Sequence, residues 1–246
     1  PLRALNMSRA DREKKVRQVA RRVGLAETLL TRYPTEISMG LQQRVGVARA
    51  MISEPRIVVL DEPTSALDPT ARAEIIDLLI RFQRELGTAY LFISHDLSAV
   101  RHISHRIAVL YLGKIVEQGP SAKLFAQPSH PYSVALLSSV LLPNPRIRSG
   151  GKIRLSGEIP SPINLPPACY LAGRCPLVID RCRETMPPIE VVAENHSVRC
   201  YRHEKVAALD KDFDSFSRFQ SEADRILGAG IPVPLASNIP DNAGDR

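Results

Sequence analysis

The chain lacks any long apolar run. Crossing a bilayer takes about 20 consecutive apolar residues. The longest candidate, Val134 to Leu142, is interrupted by Ser138 and Ser139 and reads as a helix packed on another element. Pro1 to Arg22 does not read as a secretory leader, being polar and Arg-rich without an apolar centre. A cytosolic protein is expected, one that can still dock on a membrane through a partner. No internal repeat is present, and no aromatic residues interleave with the arginines of the first helical stretch. That stretch therefore reads as a solvated face rather than a nucleic-acid surface. There is no cysteine before Cys169, and the first residue is Pro1 rather than methionine. The start of the natural chain is expected to be missing or processed.

What is present suits a globular protein. The 246 residues are 44% hydrophobic and 24% charged, enough for a sizeable core in one domain with a smaller appendage. The net charge of +7 favours anionic partners without choosing among nucleotide, nucleic acid and an acidic membrane surface.

Ser8 to Val23 predicts an amphipathic helix capped by Ser8, with Val16, Val19, Ala20 and Val23 as its apolar stripe and Gly24 as its stop. Leu41 to Ile52 predicts a second helix. Ile57 to Leu60 and Ala89 to Ile93 are short apolar runs that fit parallel strands buried on both faces. Between them Thr70 to Leu86 predicts a helix stopped by Gly87, and Asp96 to His102 a short helix after the second strand. Arg106 to Tyr111 and Lys114 to Gln118 read as strands joined at Leu112-Gly113. Pro131 to Leu141 reads as a helix, Leu142 to Pro167 as a Pro- and Gly-rich connector, and Ala229 to Arg246 as a disordered end. The β–loop–α–β–α order implies an α/β fold with a parallel sheet.

The strongest chemical signal is Ile57-Val58-Val59-Leu60-Asp61-Glu62-Pro63. Four apolar residues carry two acids to the C-terminal end of a strand, where parallel sheets bind ligands. An aspartate there can hold Mg²⁺, and a neighbouring glutamate can orient or deprotonate a water attacking phosphorus. Ser65-Ala66-Leu67-Asp68 follows at once. One strand later comes Leu91-Phe92-Ile93-Ser94-His95-Asp96, so His95 ends the neighbouring strand.

This combination resembles the ABC ATPase family. The resemblance implies a partial P-loop NTPase-type nucleotide-binding domain with a parallel sheet and a helical subdomain. Asp61 matches the magnesium-binding Walker B aspartate, Glu62 the catalytic glutamate, Asp68 the end of the D-loop, and His95 the switch histidine. Ile37-Ser38-Met39-Gly40-Leu41 falls where the signature loop belongs, and in the family Ser38 and Gly40 would grip the ATP of a partner subunit. That loop usually reads Leu-Ser-Gly-Gly-Gln. Met39 and Leu41 depart from it, which either weakens the loop or is tolerated drift. No G-x-x-x-x-G-K-[ST] occurs in the chain, and the family's Q-loop glutamine has no counterpart either. An N-terminally truncated domain is expected, inactive on its own for want of the phosphate-cradling loop.

Leu110 to Gly119, His130 to Leu137, Gly157 to Pro162 and the cysteine segment resemble the oligopeptide/dipeptide importers within that family. This implies an ATPase energising peptide import at the cytoplasmic face of the bacterial inner membrane. Its partners would be a second ABC ATPase subunit, membrane-spanning permease subunits and, indirectly, a peptide-binding protein, with no nucleic acid. The domains expected are a helical signature subdomain (1–52), the remainder of a RecA-like domain (53–141), a Pro-rich connector with a four-cysteine C-terminal extension (142–204), and a largely disordered tail (205–246). Cys169, Cys175, Cys182 and Cys200 are spaced C-x5-C-x6-C-x17-C, unlike the C-x2-C knuckles of structural zinc. The resemblance implies a [4Fe-4S] cluster beside ATP and Mg²⁺; zinc is the alternative, and four unligated thiols the plainest reading.

Overall fold

The computed structural model describes residues 2, 7–139 and 155–209. They fall into two compact units, Pro1–Ile103 and Ser104–Arg246. The expected connector lies in part, and the expected disordered end wholly, outside the described residues.

The first unit runs α1 (Arg9–Arg22), α2 (Met39–Met51), β1 (Ile57–Asp61), α3 (Pro69–Leu86), β2 (Ala89–Ile93) and α4 (Leu97–Ile103), with 3-10 turns at Glu27–Thr31 and Pro34–Glu36. Local chemistry sets its helix ends. Ser8 caps α1 by accepting from the Asp11 N–H, and Asp68 caps α3 by accepting from Thr70 and Ala71. Pro69 opens α3 where its missing N–H costs nothing. Gly87 closes it at φ 63°, a left-handed turn that glycine adopts freely. Val23, Ile75, Leu79 and Phe82 make a dry core. Arg44 of α2 ties it together by donating to the Val23 carbonyl at 2.7 Å and pairing with Glu74 at 2.7 Å. Val16, expected in the buried stripe of α1, is exposed.

β1 and β2 pair in parallel, Ile57 opposite Ala89 through Asp61 opposite Ile93. The expectation that both faces are buried is corrected here. Val58 and Leu60 enter the core, but Ile57, Val59, Leu91 and Ile93 are exposed. The core helices cover one face of this two-stranded sheet, and among the described residues nothing of the first unit covers the other.

The second unit holds β3 (Arg106–Tyr111), β4 (Lys114–Pro120), α5 (Ser121–Ala126), α6 (Pro131–Ser138), α7 (Asp180–Glu184), β5 (Glu190–Ala193), β6 (His196–Val198) and a 3-10 turn at His203–Leu209. Leu112 and Gly113 both take positive φ, 46° and 76°, the geometry of a two-residue hairpin turn. β5 and β6, which the sequence patterns did not reveal, complete an antiparallel sheet in the order β3-β4-β6-β5. α6 ends at Ser138, short of the expected Leu141. Tyr111 and Tyr132 pack with their rings tilted by 52° and their centres 4.6 Å apart, beside Val116 and Leu171.

Candidate functional site

The parallel register brings the two strand tips together. Asp61 is the last residue of β1, and the next N–H, from Glu62, donates to the Ile93 carbonyl at 2.9 Å. Glu62 sits at φ 45°, a left-handed conformation that costs a non-glycine residue roughly 1–2 kcal/mol. Such strain concentrates where a side chain must be aimed. Here Glu62 Oε1 accepts from the His95 backbone N–H at 3.2 Å and lies 2.9 Å from His95 Nδ1. With the carboxylate ionised, Nδ1 carries the proton and Nε2 faces outward on a largely exposed ring. Glu62 Oε2 is buried and has no hydrogen-bond partner among the described residues. A buried carboxylate oxygen left open is expensive unless something else fills it.

The flanking turns are pinned. The Ser65 hydroxyl donates to the Glu62 carbonyl at 3.2 Å. Asp96 caps α4 through Ser98 and Ala99 and pairs with Arg72 at 2.7 Å. Arg72 also donates to the Leu67 carbonyl at 3.3 Å, so it joins the turn holding His95 to the segment ending in Asp68. Neither Arg72 nor its partner Asp96 was singled out from sequence. The spacing of an arginine 24 residues before an aspartate gives no local cue.

The other sequence-predicted residues fall elsewhere in the first unit. Ser38 caps α2, its hydroxyl accepting from the Leu41 N–H at 3.4 Å. Gln42 holds the approach to it by donating to the Pro34 and Ile37 carbonyls. Met39 is the first residue of the helix and is exposed, with no left-handed φ, so its backbone does not need glycine's freedom. A Cβ on Gly40 would meet the Ala71 Cβ at 3.4 Å, which places Gly40 against the first turn of α3, next to the Asp68 cap. Asp68 itself spends one oxygen on that cap. Among the described residues no hydrogen bond joins Ser38 or Asp68 to Glu62 or His95.

In the second unit all four cysteines line one small cavity, together with His130 and Leu171. All are free thiols. Cys169 N–H donates to the Cys182 carbonyl at 3.0 Å. The Leu177 and Arg202 N–H groups point at the sulfurs of Cys175 and Cys200, at 3.4 and 3.3 Å. Burial pushes the Cys175 thiol up to about 11 and Cys200 up to about 12, with Cys169 raised as well. Thiols in this setting stay protonated unless a cation replaces the proton. Among the described residues no three His, Cys, Asp or Glu side chains are drawn together closely enough to enclose a metal ion.

Two family profiles match the chain. The ABC transporter profile matches residues 3–65, covering α1, α2 and the β1 tip with its acid pair. The profile of the oligopeptide/dipeptide transporter C-terminal region matches residues 116–182. These assign the chain to the nucleotide-binding subunits of ABC transporters. Among curated relatives, a probable peptide ABC transporter ATP-binding protein of Sinorhizobium fredii is 44% identical over 82% of this chain and 57% of its own length. The oligopeptide transport ATP-binding protein OppF of Salmonella typhimurium is 43% identical over 82% of this chain and 61% of its own length. The di/tripeptide transport ATP-binding protein DppF of Pseudomonas aeruginosa is 41% identical over 81% and 61%. The chain belongs to the family of oligopeptide/dipeptide ABC transporter ATP-binding subunits, and it spans about three fifths of the length of the relatives it matches.

Proposed function

We propose that this chain is part of an ATP-hydrolysing subunit that powers import of di- and oligopeptides from the cytoplasmic face of a bacterial membrane. The observation that carries the reading is the Glu62–His95 pair, 2.9 Å apart at the tips of adjoining parallel strands. Asp61 would hold Mg²⁺, which supplies positive charge against the phosphates. Glu62 is oriented by His95 through Oε1, and its carboxylate takes the proton of the attacking water. His95, whose ring is largely exposed, would contact the terminal phosphate. Ser38, Gly40 and Asp68 serve the ATP of a second ATPase subunit, and permease subunits carry the peptide. These 246 residues hold no G-x-x-x-x-G-K-[ST], so the lysine and amides that cradle the phosphates come from outside them. That observation also favours a second reading, a non-catalytic chain that lends only Ser38 and Gly40 to a partner's nucleotide.

Glu62→Gln in the assembled transporter separates the two. Under the first reading hydrolysis falls by about 10²–10⁴-fold while bound ATP is retained. Under the second, hydrolysis is unchanged.

We also infer that the four cysteines hold a [4Fe-4S] cluster, with zinc as the alternative. Support comes from the four thiols lining one cavity and the N–H groups aimed at two of them. The cluster would pin a segment with little core of its own. Anaerobic purification should give brown protein carrying iron and sulfide; colourless protein with one zinc per chain decides for the alternative.

A further inference from the structure

Glu117 is the most deeply buried acid among the described residues and takes no part in the roles assigned so far. Its side chain is 0% exposed, yet it accepts three hydrogen bonds from two separate segments. Oε1 receives the Ser129 N–H at 2.6 Å and lies 2.8 Å from His196 Nε2; Oε2 receives the His130 N–H at 3.0 Å. One carboxylate on β4 thus clamps the start of α6 and the ring on β6. Gly119, two residues on, leaves the space this needs: a Cβ there would stand 3.0 Å from His196 Cδ2.

The clamp continues to the cysteines. His130 is the cap of α6, its Nδ1 accepting the Tyr132 N–H at 3.1 Å. The ring proton therefore sits on Nε2, and the ring lines a small cavity together with Arg199 and Cys169. The residue after Arg199 is Cys200. The Arg199 N–H meanwhile donates to the Val116 carbonyl at 2.8 Å, beside Glu117. The His130 ring itself lines the cysteine cavity.

We propose that Glu117 is a positioning residue for the four-cysteine centre, acting through His130 to hold the Arg199–Cys200 segment against Cys169, Cys175 and Cys182. Cys182 is held independently, by α7 and by the Cys169 N–H on its carbonyl. Loss of the clamp should therefore release Cys200 and spare Cys182. The metal-centre reading enters only in saying what the positioning serves.

The test is site-resolved alkylation of the full chain, reduced and stripped of metal, with each cysteine followed by mass spectrometry. Glu117→Gln keeps the shape and removes the charge. His130→Asn keeps a good helix cap and removes the reach to Arg199, so it decides the matter if the first variant does not fold. In each, Cys200 should react about tenfold faster relative to Cys182 than in the parent chain, the size expected for losing one buried hydrogen bond that resists local opening. An unchanged ratio overturns the proposal. So does an equal acceleration of all four thiols, which marks general loosening of the core. Iron, sulfide and zinc content of the freshly purified parent chain is the separate readout: absence of all three sinks the metal centre and leaves the alkylation ratio to judge Glu117.

Discussion

The two units each contain a glutamate–histidine pair at nearly the same distance, 2.9 Å for Glu62–His95 and 2.8 Å for Glu117–His196. Their surroundings are opposite. His95 is 79% exposed and Glu62 keeps one oxygen without a partner, while Glu117 and His196 are sealed and every Glu117 oxygen is filled. One contact geometry therefore serves two ends. Where an acceptor is left without a partner beside an exposed ring, the pair is equipped to meet a ligand. Where all acceptors are used, it welds separate segments of a core.

The largest effect that could break this contrast is on stability. Glu117→Ala leaves three donors buried without an acceptor and should cost about 3–5 kcal/mol, read from denaturant unfolding of the second unit's signals. Glu62→Ala keeps the Cβ on a left-handed backbone and should change stability by about 1 kcal/mol or less. Equal losses from both would erase the distinction. A smaller effect is expected at Gly119→Ala. The new methyl meets a His196 ring that Glu117 prevents from moving, and overpacking of this kind costs about 1–3 kcal/mol; a neutral result in a thermal melt would show that the clamp is looser than drawn. The smallest concerns Tyr90 in the first unit. Its hydroxyl donates to the Leu79 carbonyl at 3.0 Å, and burial pushes it up to about 12 from an ordinary 10. The folded form then keeps its proton where the unfolded form has lost it. The contribution of Tyr90 is complete below pH 10 and fades as pH rises from 10 towards 12. Tyr90→Phe should flatten that alkaline limb, and absorbance at the phenolate band should show one late-titrating tyrosine in the parent chain.

Much of the first unit was legible in the sequence because its signals are local. Ser8, Asp68 and Gly87 each act within a turn of their own position, and four consecutive apolar residues before Asp61 announce a strand. Glu62 and His95 could be matched because each follows such a run, so strand pairing alone brings residues 33 apart to one place. Other elements carried no such mark. β6 is three residues long, includes a histidine and a serine, and is wholly buried, so neither alternation nor composition gives it away. The exposure of Ile57 and Val59 was equally hidden: an apolar run states that a strand wants cover, not how many helices are present to supply it.

What the sequence by itself determined is the chemistry that needs only neighbours along the chain: the helix caps, the acid pair at a strand end, the histidine at the next, and four cysteines within 32 residues of one another. What only tertiary structure decided is which polar atoms are left open and which are satisfied. Glu62 keeps a free oxygen and Glu117 does not because of partners 12 to 79 residues away. Burial and hydrogen-bond saturation are properties of packing in three dimensions, with no counterpart in the order of the residues.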